Sequence, residues 1–186
     1  MVVTAIVNRV QDSTFDADIL LIERFLAGDQ GAFETLYRNY YDIVYSVAKG
    51  VLGDPEEAAD TTQEVFRLVM RNLKRFDRRA RFSTWLYRIA INRSIQQARS
   101  LHRRPRAMPL DAASAVSHET TEAADPRIQQ ALQQLAPSDR AILILYYWQE
   151  LSLAEIATTM QCSANACKTR LFRARELFRE AFERVE

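Results

Sequence analysis

The stretch "AEIATTMQCSANACKTRLFRARE", residues 154–176, decides the fold. It reads as a short apolar helix, a tight turn and a longer basic helix. That is the pattern of a helix-turn-helix, which lays its second helix in a DNA groove. On the second helix Cys167, Leu171, Ala174 and Phe178 share one side and are expected to pack inward. Asn165, Thr169, Phe172 and Arg173 face away, with Lys168 and Arg175 on the flank. The outward set suits major-groove reading: arginine to guanine, asparagine to adenine, an aromatic ring to the thymine methyl. Cys162 and Cys167 read as small apolar fillers, since buried thiols are usually inert.

Moving outward, the 186-residue chain is rich in helix formers and holds only four glycines. The expected class is all-α. The net charge of +1 conceals a sharp pattern. Residues 71–106 hold twelve basic side chains and one acidic, a net +11, against −7 before them, −4 over 107–126 and +1 over 127–186. Solvated surfaces usually mix signs, so this block is the footprint of a polyanion. The longest apolar run, "AILILYYW", is too short to cross a bilayer, and "MVVTAIVNR" lacks the order of a signal peptide. An intracellular, water-soluble protein is the expectation. Neither a metal site nor a cofactor site is expected, because no Cys/His cluster has zinc-ligand spacing.

Residues 1–17 show no sustained period and read as a loose arm. Helical periodicity starts at Asp18, with Ile19, Ile22, Phe25 and Leu26 on one face, and resumes after "GDQG" from Phe33 to Ala48. "GDPEEAAD" restarts a helix: Asp54 as N-cap, Pro55 in the first turn, Glu57 completing a capping box. "KRFDRRARFS" reads as a basic loop, with Ser83 capping "TWLYRIAINRSIQQARSL". Residues 105–126 are small, acidic and poor in large apolar groups, a flexible linker. A second helical unit occupies 127–186. The expected architecture is two small helical domains, 18–104 and 127–186, joined by an acidic tether.

Two polar stripes accompany the helix-turn-helix. On the helix from Asp54 to about Leu73, Asp60, Gln63, Glu64, Arg67 and Arg71 lie opposite Ala58, Thr62, Val65, Phe66, Val69 and Leu73. Asp60 and Glu64 are like charges at i,i+4, which slightly disfavours an isolated helix and points to a partner. On the next helix Arg88, Asn92, Gln96 and Arg99 line the side away from Leu86, Ala90 and Ile91, with Trp85 at the border. A cationic loop beside an exposed aromatic is suited to holding unstacked single strands.

In three phrases the chain resembles a bacterial sigma factor of the extracytoplasmic-function (ECF) group, within the sigma-70 family. "AFETLYRNYYDIVYSVAKGVLGDPEEAADTTQEVFRLVMRNL" is similar to the start of region 2, "RFSTWLYRIAINRSI" to its DNA-binding end, and "LAPSDRAILILYYWQELSLAEIATTMQCSANACKTRLFRAREL" to region 4. The resemblance implies a promoter-specificity subunit, not an enzyme, that directs transcription initiation. Asn165, Lys168, Thr169, Phe172 and Arg173 would read the −35 element as duplex. Phe76, Arg78, Arg79, Arg81, Trp85, Arg88 and Asn92 would hold the melted −10 strand. Asp60, Gln63, Glu64 and Arg67 would dock on the β′ clamp helices of the RNA polymerase core, whose β flap is the other family contact. An anti-sigma factor would complete the partners and hold this cytoplasmic chain at the inner membrane face. No small-molecule substrate is implied. The family's turn glycine is Gln161 here, its small glycine early in the recognition helix is Asn165, and Thr61 and Thr62 stand where aliphatic residues are usual.

The alternative is a stand-alone helix-turn-helix regulator on a duplex operator. Such a repressor has no need of "RFDRRARFSTWLYRIAINR". An enzyme ranks last, because His102 and His118 have no nucleophile or metal constellation around them.

Overall fold

A computed structural model of the chain describes residues 17–78, 80–103 and 125–185. Of the expected arm over 1–17, residues 1–16 lie outside the described residues and Ala17 is already helical; of the expected linker over 105–126, residues 105–124 lie outside them, while Asp125 and Pro126 open the next helix; Arg79 also lies outside. Those described form helices and no strand. They are α1 (17–26), α2 (Gln30–Leu52), α3 (Pro55–Asn72) with a 3-10 turn at Leu73–Arg75, α4 (Phe82–Arg103), α5 (Pro126–Gln134), α6 (Pro137–Leu143) running into a π-helical turn at Ile144–Trp148, α7 (Leu153–Thr159) and α8 (Ala164–Glu183).

Five of the helices start where a side chain satisfies a free amide, whereas α6 opens at Ala136–Pro137 with no side-chain cap. Asp29 accepts from the Gly31 N–H at the head of α2, and Asp54 from the Glu57 N–H at the head of α3. Asp125 does the same for α5, with Pro126 in its first turn. Ser152 and Glu155 form a reciprocal capping box on α7, and Ser163 caps α8 through the Ala166 N–H. The capping box expected at Glu57 is not closed. The Glu57 carboxylate turns instead to Gln97 on α4, which donates to it at 2.7 Å. Ser83 is not the cap of α4 either, because the helix already includes Phe82. That ring is 1 % exposed and packs against Tyr40, Phe76 and Trp85. Burial of a whole aromatic ring outweighs a cap worth about 1 kcal/mol. Leu26, expected on the buried face of α1, is 38 % exposed, while Ile22 fills the core.

In the first unit α2, α3 and α4 pack on one another, and α1 is tied down by the buried Asp18, which accepts from the Tyr40 hydroxyl. In the second, α8 packs on α5, α6 and α7. The two units share a continuous apolar core. Gly50 of α2 lies so close to Ile144 that a Cβ there would sit 2.6 Å from its Cδ1. The Tyr87 hydroxyl of α4 donates to Gln149 Oε1 at 2.9 Å, and Gln149 Nε2 donates to Ser46 Oγ at 3.0 Å. Burial, with the Glu155 carboxylate as a second cause, pushes Tyr87 up to about 12. Arg140 is buried between α5 and α6 and hydrogen-bonded to Gln133. Desolvation lowers it to about 10, which leaves it cationic at neutral pH.

Candidate nucleic-acid interfaces

The long helix α8 is set by a turn that serves two helices at once. Gln161 stands at φ +54, the left-handed position that ends α7. Its N–H bonds the Thr158 carbonyl and the Cys162 N–H bonds the Ala157 carbonyl, the paired bonds of a Schellman motif. Cys162 then precedes the Ser163 cap, and Cys167 lies one turn beyond it. The two thiols occupy the positions of a hydrophobic staple. Both are free, Cys167 is buried, and burial pushes its thiol up. Leu171 and Ala174 continue inward, and Phe178 is half-buried against the same core. On the other side Asn165, Lys168, Thr169, Phe172 and Arg173 are all exposed, Phe172 by 66 %. Asn165, Thr169 and Arg173 line a concavity with Ser138 and Asp139 of α6. Arg175 turns away from this face and stacks over Tyr146 and Tyr147 of the π-helical turn, at 4.9 and 5.5 Å.

The second surface is a basic hollow beside the 76–81 loop. Phe76, Trp85 and Arg88 line it together with Arg75, Asp77, Ala80, Thr84 and, from the other unit, Thr158 of α7. Phe76 is buried, with its ring 5.4 Å from Trp85 and 5.9 Å from Phe82, so it forms a wall and not a free wedge. Trp85 is half-buried. Arg78 is exposed, sits at φ +61 and pairs with Glu23 of α1 at 2.6 Å. Arg81 and Asn92 are outside the hollow. Arg81 gives its carbonyl to the Trp85 N–H, and Asn92 is exposed one helical turn beyond Arg88. Sequence reasoning passed over Arg75 and Thr84 here. Thr84 carries a periodicity signal, since it stands at i−4 from Arg88. Thr158 carries none, because it arrives through the packing of one unit on the other.

The third surface is the outer face of α3. Asp60, Gln63 and Arg67 are exposed, as expected. Glu64 is half-buried and paired with Arg93 of α4 at 2.5 Å, which offsets the like charge of Asp60. Met70, 45 % exposed, extends the stripe and was missed, although it lies two turns beyond Gln63. Thr61 and Thr62 belong to the core at 2 % and 0 % exposure, with the Thr62 hydroxyl donating to the Ala58 carbonyl. Among the described residues, no group of three or more His, Cys, Asp or Glu side chains is placed to hold a metal ion, and no helix is long and apolar enough to cross a membrane.

Residues 36–104 match the family model of sigma-70 region 2, and residues 126–178 match that of sigma-70 region 4. The RNA polymerase sigma-H factor of Pseudomonas aeruginosa is 32 % identical over 185 residues, covering 91 % of this chain and 96 % of that protein. The ECF RNA polymerase sigma factor SigW of Bacillus subtilis is 31 % identical over 182 residues, covering 86 % and 93 %. Among solved structures, the sigma factor RpoE of Bartonella quintana, in complex with the anti-sigma factor NepR, superposes with a TM-score of 0.66 at 18 % identity, covering 83 % of this chain and 98 % of that one.

Proposed function

The chain belongs to the sigma-70 family, in its extracytoplasmic-function group, as a sigma factor that directs transcription initiation, and we propose that its two helical units divide the reading of a promoter. The unit over 127–186 reads the −35 element as duplex, through Asn165, Lys168, Thr169, Phe172 and Arg173. The unit over 18–104 holds the −10 element as an opened strand. Phe76, Trp85 and Arg88 wall the hollow that receives an unstacked base, while Arg79, Arg81 and Asn92 contact the strand beyond it. Asp60, Gln63, Glu64 and Arg67 dock on the clamp helices of the polymerase β′ subunit, and the second unit meets the β flap. The chain has no reaction of its own; the polymerase supplies the chemistry. It acts in the cytoplasm, under an anti-sigma factor that can hold it at the inner membrane face.

The observation that carries this reading is the presence of two surfaces of unlike build in one chain. One is a regular helix face with a two-thirds exposed Phe172. The other is a concave basic hollow walled by aromatics. Duplex edges are read by a rod in a groove, whereas unstacked bases need a ring to stand against. A repressor needs only the first.

The test is run-off transcription with purified core polymerase on genomic fragments, with and without the chain. Discrete transcripts that depend on the chain are expected. Tight, sequence-specific gel shifts by the isolated chain, without any such transcript, would establish the repressor alternative.

A further inference from the structure

Glu23 lies on α1, upstream of the segment that matches region 2. Its carboxylate reaches Arg78, fifty-five residues further on, at 2.6 Å. Arg78 stands at φ +61, a left-handed conformation that L side chains adopt only with strain. It sits within the loop that runs from the buried Phe76 to the head of α4 at Phe82, and the loop sequence "FDRRAR" offers no glycine to relieve the strain. The shape of the loop therefore needs support from outside.

α1 is built to give that support. Arg24 pairs with Asp29 at 2.7 Å, and Asp29 caps α2 through the Gly31 N–H. Asp18 is buried and hydrogen-bonded by the Tyr40 hydroxyl. The Tyr40 ring stands edge-on to Phe82 at 5.3 Å, and Phe82 packs on both Phe76 and Trp85. The Glu23 carboxylate thus rides on a helix fixed to the same aromatic cluster that walls the hollow.

We propose that Glu23 is a positioning residue for −10 recognition: its pairing with Arg78 fixes the chain at 76–78 and so sets Phe76 against Trp85 and Arg88 of α4 around the opened strand. The inference rests on the assignment of this loop to the −10 element. Arg78 then acts as the anchor of the loop and not as a contact to the strand. Both partners are about half exposed, so the pair adds little to the stability of the whole fold. Its effect falls on a short strained segment, where the order of a few residues decides how well a base is discriminated.

The experiment uses the full chain assembled with core polymerase. The probe is a duplex library with one fixed −35 segment and a pre-opened, randomised −10 segment. Selection followed by sequencing gives the preference of the native holoenzyme. Glu23→Gln should reduce discrimination against the worst single-base change by about twofold to fivefold, within what an exposed pair can supply. Core binding, −35 discrimination and the melting temperature should be unchanged. The exchanged pair Glu23→Arg/Arg78→Glu should recover most of the loss. If Glu23→Gln selects as sharply as the native chain, the inference fails while the −10 assignment stands. A loss that the exchanged pair does not recover overturns the route through Arg78. An equal loss at −35 makes the effect a general one and overturns it too. Absence of any −10 preference in the native holoenzyme removes the −10 assignment and this inference with it.

Discussion

The two proposed DNA surfaces are built from opposite materials. On α8 the reading side chains stand on a regular helix, and their placement follows from a cap at Ser163, a left-handed Gln161 and a buried stripe of Cys167, Leu171 and Ala174. Beside the 76–81 loop the chemistry is mixed in origin: Thr84, Trp85 and Arg88 stand on α4, but Arg75, Phe76, Asp77 and Ala80 come from the 3-10 turn and the loop. Phe76 and Trp85, packed on each other and on the buried Phe82, form the aromatic wall of the hollow, and Thr158 of α7 lines it as well. The first surface can be specified locally, one helix at a time. The second depends on α1, α2 and α4 being in place together. A duplex already has its shape, so a pre-formed rod suffices to read it; an opened strand has none, and the protein must supply it.

The largest effects should come from the cores beneath the two surfaces. Phe82→Ala should destabilise the first unit by about 3–5 kcal/mol, the range for removing a buried aromatic. Leu171→Ala should cost the second unit about 2–5 kcal/mol. The neighbouring Phe172→Ala should leave stability nearly unchanged, because that ring is already in solvent. Chemical denaturation of the three variants checks this. Equal losses for Leu171 and Phe172 would mean that α8 does not present the face described.

Next come the reading residues themselves. Arg173→Ala should reduce discrimination at one −35 base pair by about 1–3 kcal/mol, the worth of a good bidentate contact. Asn92→Ala removes the proposed contact to a base accessible only in the opened strand. It should leave −35 preference alone and impair strand opening. Permanganate footprinting on duplex and pre-opened templates separates the two. If both variants weaken duplex binding equally and neither alters opening, the basic block is a general phosphate clamp and the contrast between the surfaces collapses.

This contrast also explains what was legible in the sequence. The helices were legible because their apolar positions recur every three or four residues and their caps are local. The outward set on α8 was read for the same reason. The hollow was legible only as a parts list: Trp85 and Arg88 were named, but Thr158 was not, since it comes from the packing of the second unit on the first. That packing turns on the approach of Gly50 to Ile144 and on the chain Tyr87–Gln149–Ser46, pairs about sixty to a hundred residues apart with no periodic signature. Local rules failed where tertiary burial competed with them. Phe82 entered α4 ahead of the expected Ser83 cap, and Glu57 left its capping box for Gln97. The turn after Leu143 widened to π geometry, with Tyr146 and Tyr147 beneath Arg175.

A smaller effect belongs to the anchor of α1. Burial raises the Asp18 carboxyl above its ordinary value of 3.8, and the hydrogen bond from Tyr40 offsets this only in part. A carboxyl raised in the fold holds its proton more tightly there than in the unfolded chain. Its contribution to stability is therefore complete below about pH 3.8 and is lost as pH rises through the higher folded value. Asp18→Asn imitates the protonated group and keeps a Tyr40 partner. Its melting temperature should exceed that of the native chain at neutral pH, with the gap closing as the pH falls through that window. A gap that widens on acidification would show the ionised form to be the stabilising one.

The smallest effect is expected at the turn between α7 and α8. Gln161 holds a left-handed backbone at φ +54, where a side chain costs about 1–2 kcal/mol relative to glycine. Gln161→Gly removes that strain but frees the unfolded chain, which takes back about 0.4–1 kcal/mol. The two terms have opposite signs and similar size, so the net gain should be small, roughly 0.5 kcal/mol. The Gln161 side chain is exposed and precedes the Ser163 cap, so no reading residue is touched. The variant should melt slightly higher and select the same −35 sequences. A stabilised variant with altered −35 preference would mean that the turn sets the angle at which α8 meets DNA. The recognition helix would then be as dependent on its surroundings as the −10 loop, and the difference between the two surfaces would narrow to one of degree.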